Sequence, residues 1–224
     1  RSGLANYTSG SNCLLRAVSG RSAYEAQSVV KWIAKQKVLA HKTGSYHYNN
    51  SGYVALARIV ENVSRLSFPQ FMKKRFFRPL GMKKTTFRHY RKKSPKNVVR
   101  TYSKKGVPLP KTACAWIPGD GGVYTNIKDL KKWGVFLAGR SSLGSRMPAL
   151  MTKGQGGGYG YGLWVNKAVK GMQRVMHNGS FMGARATIQF VPDKSLFAIV
   201  LVNNDKANDV GKVGKKLLKK YLNK

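Results

Sequence analysis

The sequence predicts an α+β fold, and the arrangement of apolar residues is the basis for this. Helical spacing of apolar residues dominates residues 1–150. Residues 151–224 change to an alternation with a period of two and then return to a helical pattern. Helices followed by a run of antiparallel strands are typical of α+β domains. The 224 residues are enough for one large domain or two small ones, with a buried core.

The first part of the chain contains four predicted helices. Their approximate bounds are 23–36, 51–63, 67–77 and 126–137. Ser67 is a predicted N-cap, and Pro69 suits the first turn that follows it. Asn126 is also a predicted N-cap, with the acidic Asp129 three positions on. The basic, proline-containing segment 88–112 is predicted to be a loop.

The second part contains four predicted strands and a terminal helix. The predicted strands are 159–165, 173–177, 184–191 and 195–203, and the helix follows from Lys206. Short turns join the strands, so a meander of antiparallel neighbours is expected. No internal repeat is visible.

The charge is strongly positive. Lysine and arginine number 42 and aspartate and glutamate 7, which gives a formal net charge of +35. The basic residues lie in short clusters among periodic apolar residues. A solvated basic surface explains this arrangement, and a polyanion-binding surface for nucleic acid or cell-wall polymer is the alternative.

Metal and cofactor chemistry has no support in the sequence. No two carboxylates are close together in the chain, so neither a two-metal site nor a glycosidase pair is indicated, although distant residues can meet in space. The four histidines lack HExxH spacing, and Cys13 and Cys114 form no CxxC pair. A disulfide between the two cysteines and two free thiols both remain open. The longest apolar run is too short for a membrane span, and no signal peptide is visible.

Six short blocks occur in an order that points to one family. They are RSGL (1–4), YHYNNSGY (46–53), PLGM with TTF (79–87), GGVYTN with DL (121–130), YGYGLW (159–164) and HNG with Gly183 (177–183). These blocks resemble the H-T-S-G-L, Y-x-N, PLGM, GG, YGYG and HxG segments of the serine β-lactamase and penicillin-binding-protein superfamily. The similarity is to the branch of class C β-lactamases, D-alanyl-D-alanine carboxypeptidases and related esterases.

The resemblance implies a β-lactamase/transpeptidase-like fold and roles for particular residues. Tyr48 would transfer the proton and Asn50 would hold the amide of the substrate. His177 would lie on the strand that lines the site, with Gly179 beside the substrate. The backbone N–H of Ser180 would form half of an oxyanion hole. In this family a serine forms an acyl-enzyme that water then hydrolyses, and no cofactor is needed.

The sequence departs from the family pattern at the nucleophile. The S-x-x-K segment of the family precedes H-T-S-G-L, whereas this chain begins inside that block. Ser28 and Lys31 have the S-x-x-K spacing but lie downstream of the block, so they are weak substitutes. Lys42-Thr43-Gly44 matches the K-T-G motif in sequence only by coincidence, because it precedes Tyr48, whereas the K-T-G of the family follows far later on a strand. Residues 1–224 are therefore expected to form a partial domain, either a fragment that lacks the N-terminal part of the fold or a truncated relative.

Two functions are compatible with the sequence. The first is a serine hydrolase acting on peptidoglycan stem peptides, β-lactams or small esters, whose nucleophile lies outside the chain. The second is a catalytically inactive basic relative that binds polyanions, either nucleic acid or cell-wall polymer. The resemblance places the hydrolase at the cell surface or outside the cell.

Overall fold

A computed structural model describes residues 2–8, 26–36, 42–87, 97–109, 117–155, 157–207 and 209–222. It has the predicted α+β composition. Its helices are α1 (Ala26–Ala34), α2 (Asn50–Ser64), α3 (Phe68–Met72), α4 (Ile127–Leu137), α5 (Arg146–Met151) and α6 (Val210–Tyr221). Its strands are β1 (Thr86–Phe87), β2 (Val123–Tyr124), β3 (Trp164–Val169), β4 (Met172–Phe181), β5 (Ala184–Val191) and β6 (Leu196–Val202). Cys13 and Cys114 lie outside the described residues, so their pairing stays open.

The chain divides into two compact units. The first consists of Arg1–Phe76, Thr85–Val98 and Lys111–Tyr124, and the second consists of Phe77–Lys84, Val99–Pro110 and Thr125–Lys224. The chain crosses between the units several times. The expectation that residues 1–224 form one partial domain stays a prediction.

The first unit is built on two helices that share an apolar core. Val29 of α1 and Val54 of α2 are buried together with Tyr7 and Ile117. Gly119 brings a turn against α2, because a Cβ at this position would lie 2.7 Å from the carbonyl oxygen of Tyr53. Its φ of +126° also favours glycine. The turn that follows Gly119 is therefore held at the start of α2.

The predicted N-caps Ser67 and Asn126 are confirmed. Ser67 caps α3 and forms a capping box with Gln70, because each side chain bonds the backbone N–H of the other residue. The helix continues through a π-helical turn over Lys73–Phe77. In the second unit, the Asn126 side chain accepts a hydrogen bond from the N–H of Asp129 and so caps α4.

The second unit contains an antiparallel four-stranded sheet in the order β3-β4-β5-β6. Neighbours in the sheet are neighbours in sequence, as the meander prediction requires. The turns after β3 and β4 are two residues long, and both residues of each turn have positive φ: Lys170-Gly171 and Met182-Gly183. This geometry matches the twist of a hairpin.

A helix packs on each face of this sheet. Gly134 of α4 contacts the Phe197 ring of β6, whereas Gly214 of α6 contacts Gln189 of β5. Gln189 pairs with Ala198, so it points to the face opposite that of Phe197. Gln189 is fully buried, and its amide nitrogen donates to the Gly211 carbonyl oxygen at 2.7 Å. This bond ties α6 to the sheet.

Two details of the predicted secondary structure are wrong. The strand expected over 159–165 begins only at Trp164, because the glycine-rich stretch before it forms turns, with positive φ at Gly157, Gly158 and Gly162. The strand expected over 173–177 extends to Phe181. Helix α5 lies in a segment that shows only a glycine- and serine-rich linker pattern, and this pattern does not predict a helix.

We expect Gly214→Ala to lower the free energy of unfolding by about 1–2 kcal/mol. The added Cβ would lie 2.7 Å from the Gln189 side-chain nitrogen, so a buried, hydrogen-bonded amide has to move. Urea unfolding of the chain measures the effect. Gly52→Ala in α2 is the matched control, because its Cβ would have its nearest neighbour at 3.7 Å. Alanine there should be neutral or stabilising by up to about 1 kcal/mol. Equal effects of the two variants would contradict this account of α6 packing.

Candidate functional site

Tyr48 and Asn50 lie at the start of α2 in the first unit. Asn49, between them, is the N-cap: its side-chain oxygen accepts from Gly52 N–H at 2.8 Å, and its side-chain nitrogen donates to the Leu4 carbonyl oxygen at 2.6 Å. The Asn50 side chain donates to the hydroxyl of Thr8 at 2.8 Å. The Y-x-N segment is therefore fixed by a helix cap and by the segment 2–8, which carries the SGL block.

The surroundings of Tyr48 favour the neutral form of its phenol. Tyr48 is 46% exposed, yet the partial burial of the ring, followed by the proximity of Tyr53 and Asp120, raises its pKa above the ordinary value. The neutral phenol is a proton donor. A cation near the hydroxyl would be needed to favour the phenolate, because opposite charge stabilises the ionised form.

A tyrosine–carboxylate pair lies next to the start of α2. The Tyr7 hydroxyl donates to Oδ2 of Asp120 at 2.6 Å, and the Tyr7 N–H donates to the Ser51 hydroxyl at 2.9 Å. Burial raises the pKa of Asp120, and the hydrogen bond from Tyr7 opposes that rise. Burial and the nearby carboxylate also raise the pKa of Tyr7. Sequence reasoning misses both residues, because no local motif joins positions that are 113 residues apart.

His177 lies in the middle of β4, in the second unit, as the resemblance implied for a strand residue. Its Nε2 is 3.1 Å from the Tyr159 hydroxyl, and the two rings meet edge to face. Tyr159 also packs edge to face on Trp164, with ring centroids 4.9 Å apart. Burial lowers the pKa of His177, so the imidazole is neutral at neutral pH. Tyr159 of the YGYGLW block therefore contacts His177 of the HNG block.

Gly179 and Ser180 lie on the part of β4 that extends beyond β3. The pairing of β3 with β4 ends at Trp164 and Met176, whereas β4 continues to pair with β5, with Gly179 opposite Ala186 and Ser180 opposite Arg185. Within the described sheet, this part of β4 is therefore paired on one side. Both residues are exposed. An exposed backbone edge is a common site for binding extended peptides and amides.

Ser28 and Lys31 lie on α1 in the first unit. They are the only S-x-x-K pair in the sequence. Ser28 is half-buried within the helix, and the Lys31 side chain is exposed. Nucleophilic serines usually have an adjacent base in a protected site. That Ser28 and Lys31 are weak substitutes for the S-x-x-K pair of the family stays a prediction.

The described part of the chain contains neither a candidate metal site nor a candidate membrane-spanning helix. No three His, Cys, Asp or Glu side chains are grouped so that they could hold a metal ion. Among the same residues, no helix combines the length and the apolar character needed for a membrane span.

The comparison with known proteins assigns the family. A family model described as Beta-lactamase matches residues 2–222. The chain belongs to the beta-lactamase family. The resemblance seen in the six sequence blocks is thereby confirmed, and the fold agrees with that of solved relatives. A penicillin-binding protein homologue from Pyrococcus abyssi, described as octameric, superposes with a TM-score of 0.79 at 25% identity, over 90% of this chain and 48% of that chain.

Curated relatives of this beta-lactamase family chain include peptidases and penicillin-binding proteins. A D-aminopeptidase of Gluconobacter oxydans is 26% identical over 74% of this chain and 33% of its own length. A putative penicillin-binding protein, PbpX, of Bacillus subtilis is 28% identical over 72% of this chain and 41% of its own length. The matched part of this chain thus spans well under half the length of these two curated relatives.

We expect the neutral state of His177 to make the chain less stable in acid. Because the pKa of His177 is lowered in the folded state, the unfolded state binds a proton more readily. The free energy of unfolding is therefore fully retained above the unfolded pKa of about 6.5, and it decreases as the pH falls through and below that value. Urea unfolding at pH 7.5 and pH 5.0 measures this loss. His177→Gln should lose less stability than the wild type over that interval. An equal loss in both proteins would contradict the burial of a neutral imidazole.

Proposed function

We propose that the protein is a serine hydrolase that acts by acyl-enzyme chemistry on amide-type or ester bonds. The substrate classes are peptidoglycan stem peptides, β-lactams and small esters. The observation that carries the proposal is the Y-x-N segment, with Tyr48 directly before α2 and Asn50 tied to the segment 2–8. The functions named for the relatives, a D-aminopeptidase and a penicillin-binding protein, support cleavage or binding of a D-configured amide.

Tyr48 is proposed as the residue that transfers the proton. Its raised pKa suits the donation of a proton to the leaving group, because the phenol is neutral at neutral pH. The reverse step, removal of a proton from the nucleophile, requires the phenolate. The lysine of S-x-x-K would supply the cation that favours the phenolate, and the serine of that motif would attack the carbonyl. We propose that the serine and the lysine of this motif lie outside the 224 residues.

The other residues are proposed to bind the substrate. Asn50 would hold the substrate amide, and the neutral His177 would contact the substrate from β4 through a hydrogen bond rather than through a full charge. Gly179 leaves the strand surface open, and the Ser180 N–H would stabilise the oxyanion of the tetrahedral intermediate. None of these roles needs a metal or an organic cofactor. Peptidoglycan lies outside the cytoplasmic membrane, so we also propose an extracellular or cell-surface location.

Covalent probes test the proposed nucleophile. The 224-residue chain and the natural protein, with any sequence that precedes Arg1, are treated with a fluorescent penicillin and with a fluorophosphonate. Intact mass and peptide mapping locate the adduct. We expect one adduct on a serine of the natural protein and none on the short chain. An adduct that maps to Ser28, and is lost in Ser28→Ala, would place the nucleophile on α1 instead.

We expect Tyr48→Phe to reduce the turnover of the natural protein by about 10²–10⁴-fold, the usual contribution of a positioned acid or base. Hydrolysis of a D-amino acid amide, a D-alanyl-D-alanine peptide, a chromogenic cephalosporin and a p-nitrophenyl ester gives the rates. Tyr161→Phe is the matched control, because Tyr161 is 56% exposed and also loses only a hydroxyl. Near-normal turnover of Tyr48→Phe would remove the role proposed for the phenol.

A second candidate function rests on the charge of +35. A catalytically inactive basic relative would bind nucleic acid or an anionic cell-wall polymer. Four ion pairs are present among the described residues, each using one acidic residue, so most of the described lysines and arginines are not in these pairs. This leaves a large positive charge available to a polyanion.

We expect polyanion binding to weaken steeply with salt. Six to ten phosphate contacts would reduce the association constant by about 10³–10⁵-fold between 50 and 200 mM salt, because bound counterions are released. Fluorescence anisotropy with a labelled oligonucleotide and with a teichoic acid measures the slope. Binding that does not change with salt would contradict an electrostatic origin, and hydrolysis by the same protein would show that the basic surface accompanies an enzyme.

A further inference from the structure

Tyr159 is a neighbour of His177 to which the proposed mechanism gives no role. Strand β3 pairs with β4 only as far as Trp164 and Met176, so His177 is the first residue of β4 beyond that pairing. Strand β5 continues beside it, with Ile188 opposite His177. The Tyr159 hydroxyl lies 3.1 Å from Nε2 of the imidazole at this point. The contact therefore stands where β4 changes from covered to open.

Local contacts hold the backbone of Tyr159. Tyr159 forms a β-bridge with Trp164, and its carbonyl oxygen accepts a hydrogen bond from the Gln155 N–H at 3.0 Å. The next residue, Gly160, lies so close to the Lys153 carbonyl oxygen that a Cβ would meet it at 2.8 Å. The phenol is therefore carried by a backbone whose position is fixed on both sides.

Ring contacts set the direction of the phenol. The Tyr159 ring meets Trp164 edge to face, with an angle of 86° between the ring planes. It meets the His177 ring in the same manner, with centroids 6.2 Å apart and an angle of 72°. Edge-to-face pairs are favourable but leave some freedom to slide and rotate. The hydrogen bond from the hydroxyl adds the directional contact that the rings alone lack.

Two hydrogen bonds define which nitrogen of His177 carries the proton. Burial favours the neutral imidazole, which has one N–H and one nitrogen that can only accept. A hydrogen bond with the backbone of Asn178 raises the pKa of His177, as expected where the ring is the donor. That donor is Nδ1, because Nε2 faces the Tyr159 hydroxyl. Nε2 is therefore the acceptor, and the Tyr159 O–H donates to it.

We propose that Tyr159 is the positioning residue for His177: its hydroxyl donates to Nε2, fixes the plane of the imidazole and keeps the ring proton on Nδ1. Without such a partner, a neutral imidazole exchanges its proton between the two nitrogens, and the hydrogen bond at one nitrogen decides the tautomer. A ring of fixed plane and tautomer presents the same donor to every substrate molecule. Precise binding depends on this kind of support from a neighbouring side chain.

The inference rests on the substrate contact proposed for His177 and limits that contact. With Nε2 bound to Tyr159, the proton on Nδ1 is the only one that the neutral ring can offer to a substrate. The imidazole is then a binding group rather than the base of the reaction, which agrees with the proton transfer proposed for Tyr48. Loss of the Tyr159 hydroxyl should therefore weaken substrate binding more than it slows the chemical step.

The test identifies the tautomer of His177 from its nitrogen shifts at pH 7.5. The chain is labelled with ¹⁵N-histidine, and the His177 signals are assigned by their loss in His177→Gln. Long-range ¹H–¹⁵N correlation separates the two nitrogens, because the one without a proton resonates far downfield of the N–H. Tyr159→Phe removes only the hydroxyl and keeps the ring on Trp164. Tyr161→Phe is the matched control, since Tyr161 is exposed. A melting curve confirms that each variant is folded.

We expect the downfield signal of the wild type to belong to Nε2. In Tyr159→Phe both tautomers should be populated, so the two nitrogen shifts should move towards each other, whereas Tyr161→Phe should match the wild type. In the natural protein, Tyr159→Phe should raise KM by about 2–10-fold, the effect of one hydrogen bond, and should change kcat by less than about twofold. The amide, peptide, cephalosporin and ester substrates used for Tyr48→Phe give these constants.

A proton on Nε2 in the wild type would overturn the inference, whether or not Tyr159→Phe folds, because the hydroxyl would then accept rather than donate. Unchanged nitrogen shifts in folded Tyr159→Phe would also overturn it. So would a loss confined to kcat, since a group that acts in the chemical step gives that result. The spectra need no substrate or turnover. They therefore separate failure of the positioning role from failure of the hydrolase proposal, which the covalent probes report.

Discussion

The start of helix α2 is the constraint on which the first unit depends. An uncapped helix leaves its first N–H groups without partners, and here the segment 2–8, Asn49 and the Asp120 turn meet at that point. Asn49 both caps the helix and binds the Leu4 carbonyl oxygen, so one side chain fixes two segments. Tyr48 directly precedes the N-cap residue Asn49, so its backbone takes its position from this junction. A displacement of the cap would therefore move the candidate acid–base residue with it.

The second unit keeps part of a strand accessible on a sheet that is packed on both faces. Helices cover both faces, and the fully buried amide of Gln189 is satisfied by Gly211, Thr187 and Arg174. These bonds satisfy both the oxygen and the nitrogen of the buried amide, and they specify one register for α6 on the sheet. The extension of β4 beyond β3 then exposes Gly179 and Ser180 without loosening the strand. Rigid support of an exposed edge favours precise binding.

The sequence predicts the elements with strong local signals and misses those that depend on distant neighbours. The caps at Ser67 and Asn126 are recognisable because the donor and acceptor lie three residues apart. The bounds of β5 follow from its alternation, whereas the start of β3 depends on glycines that adopt positive φ. The candidate residues Tyr48 and His177 are found through short blocks. The hydrogen bonds between Tyr7 and Asp120 and between Tyr159 and His177 are set by the fold, so spacing alone cannot assign them.

Strand β6 has a consequence for the behaviour of the chain in solution. It forms one edge of the described sheet, and its sequence LFAIVLV has no charge and no proline to discourage pairing with another strand. The net charge of +35 keeps copies apart through long-range repulsion at low ionic strength. Added electrolyte shortens the range of that repulsion to about 10 Å at 0.1 M, which lets two such edges approach. The ionic strength of the buffer thus governs the colloidal stability of the purified chain, and dilute buffers favour the dispersed state.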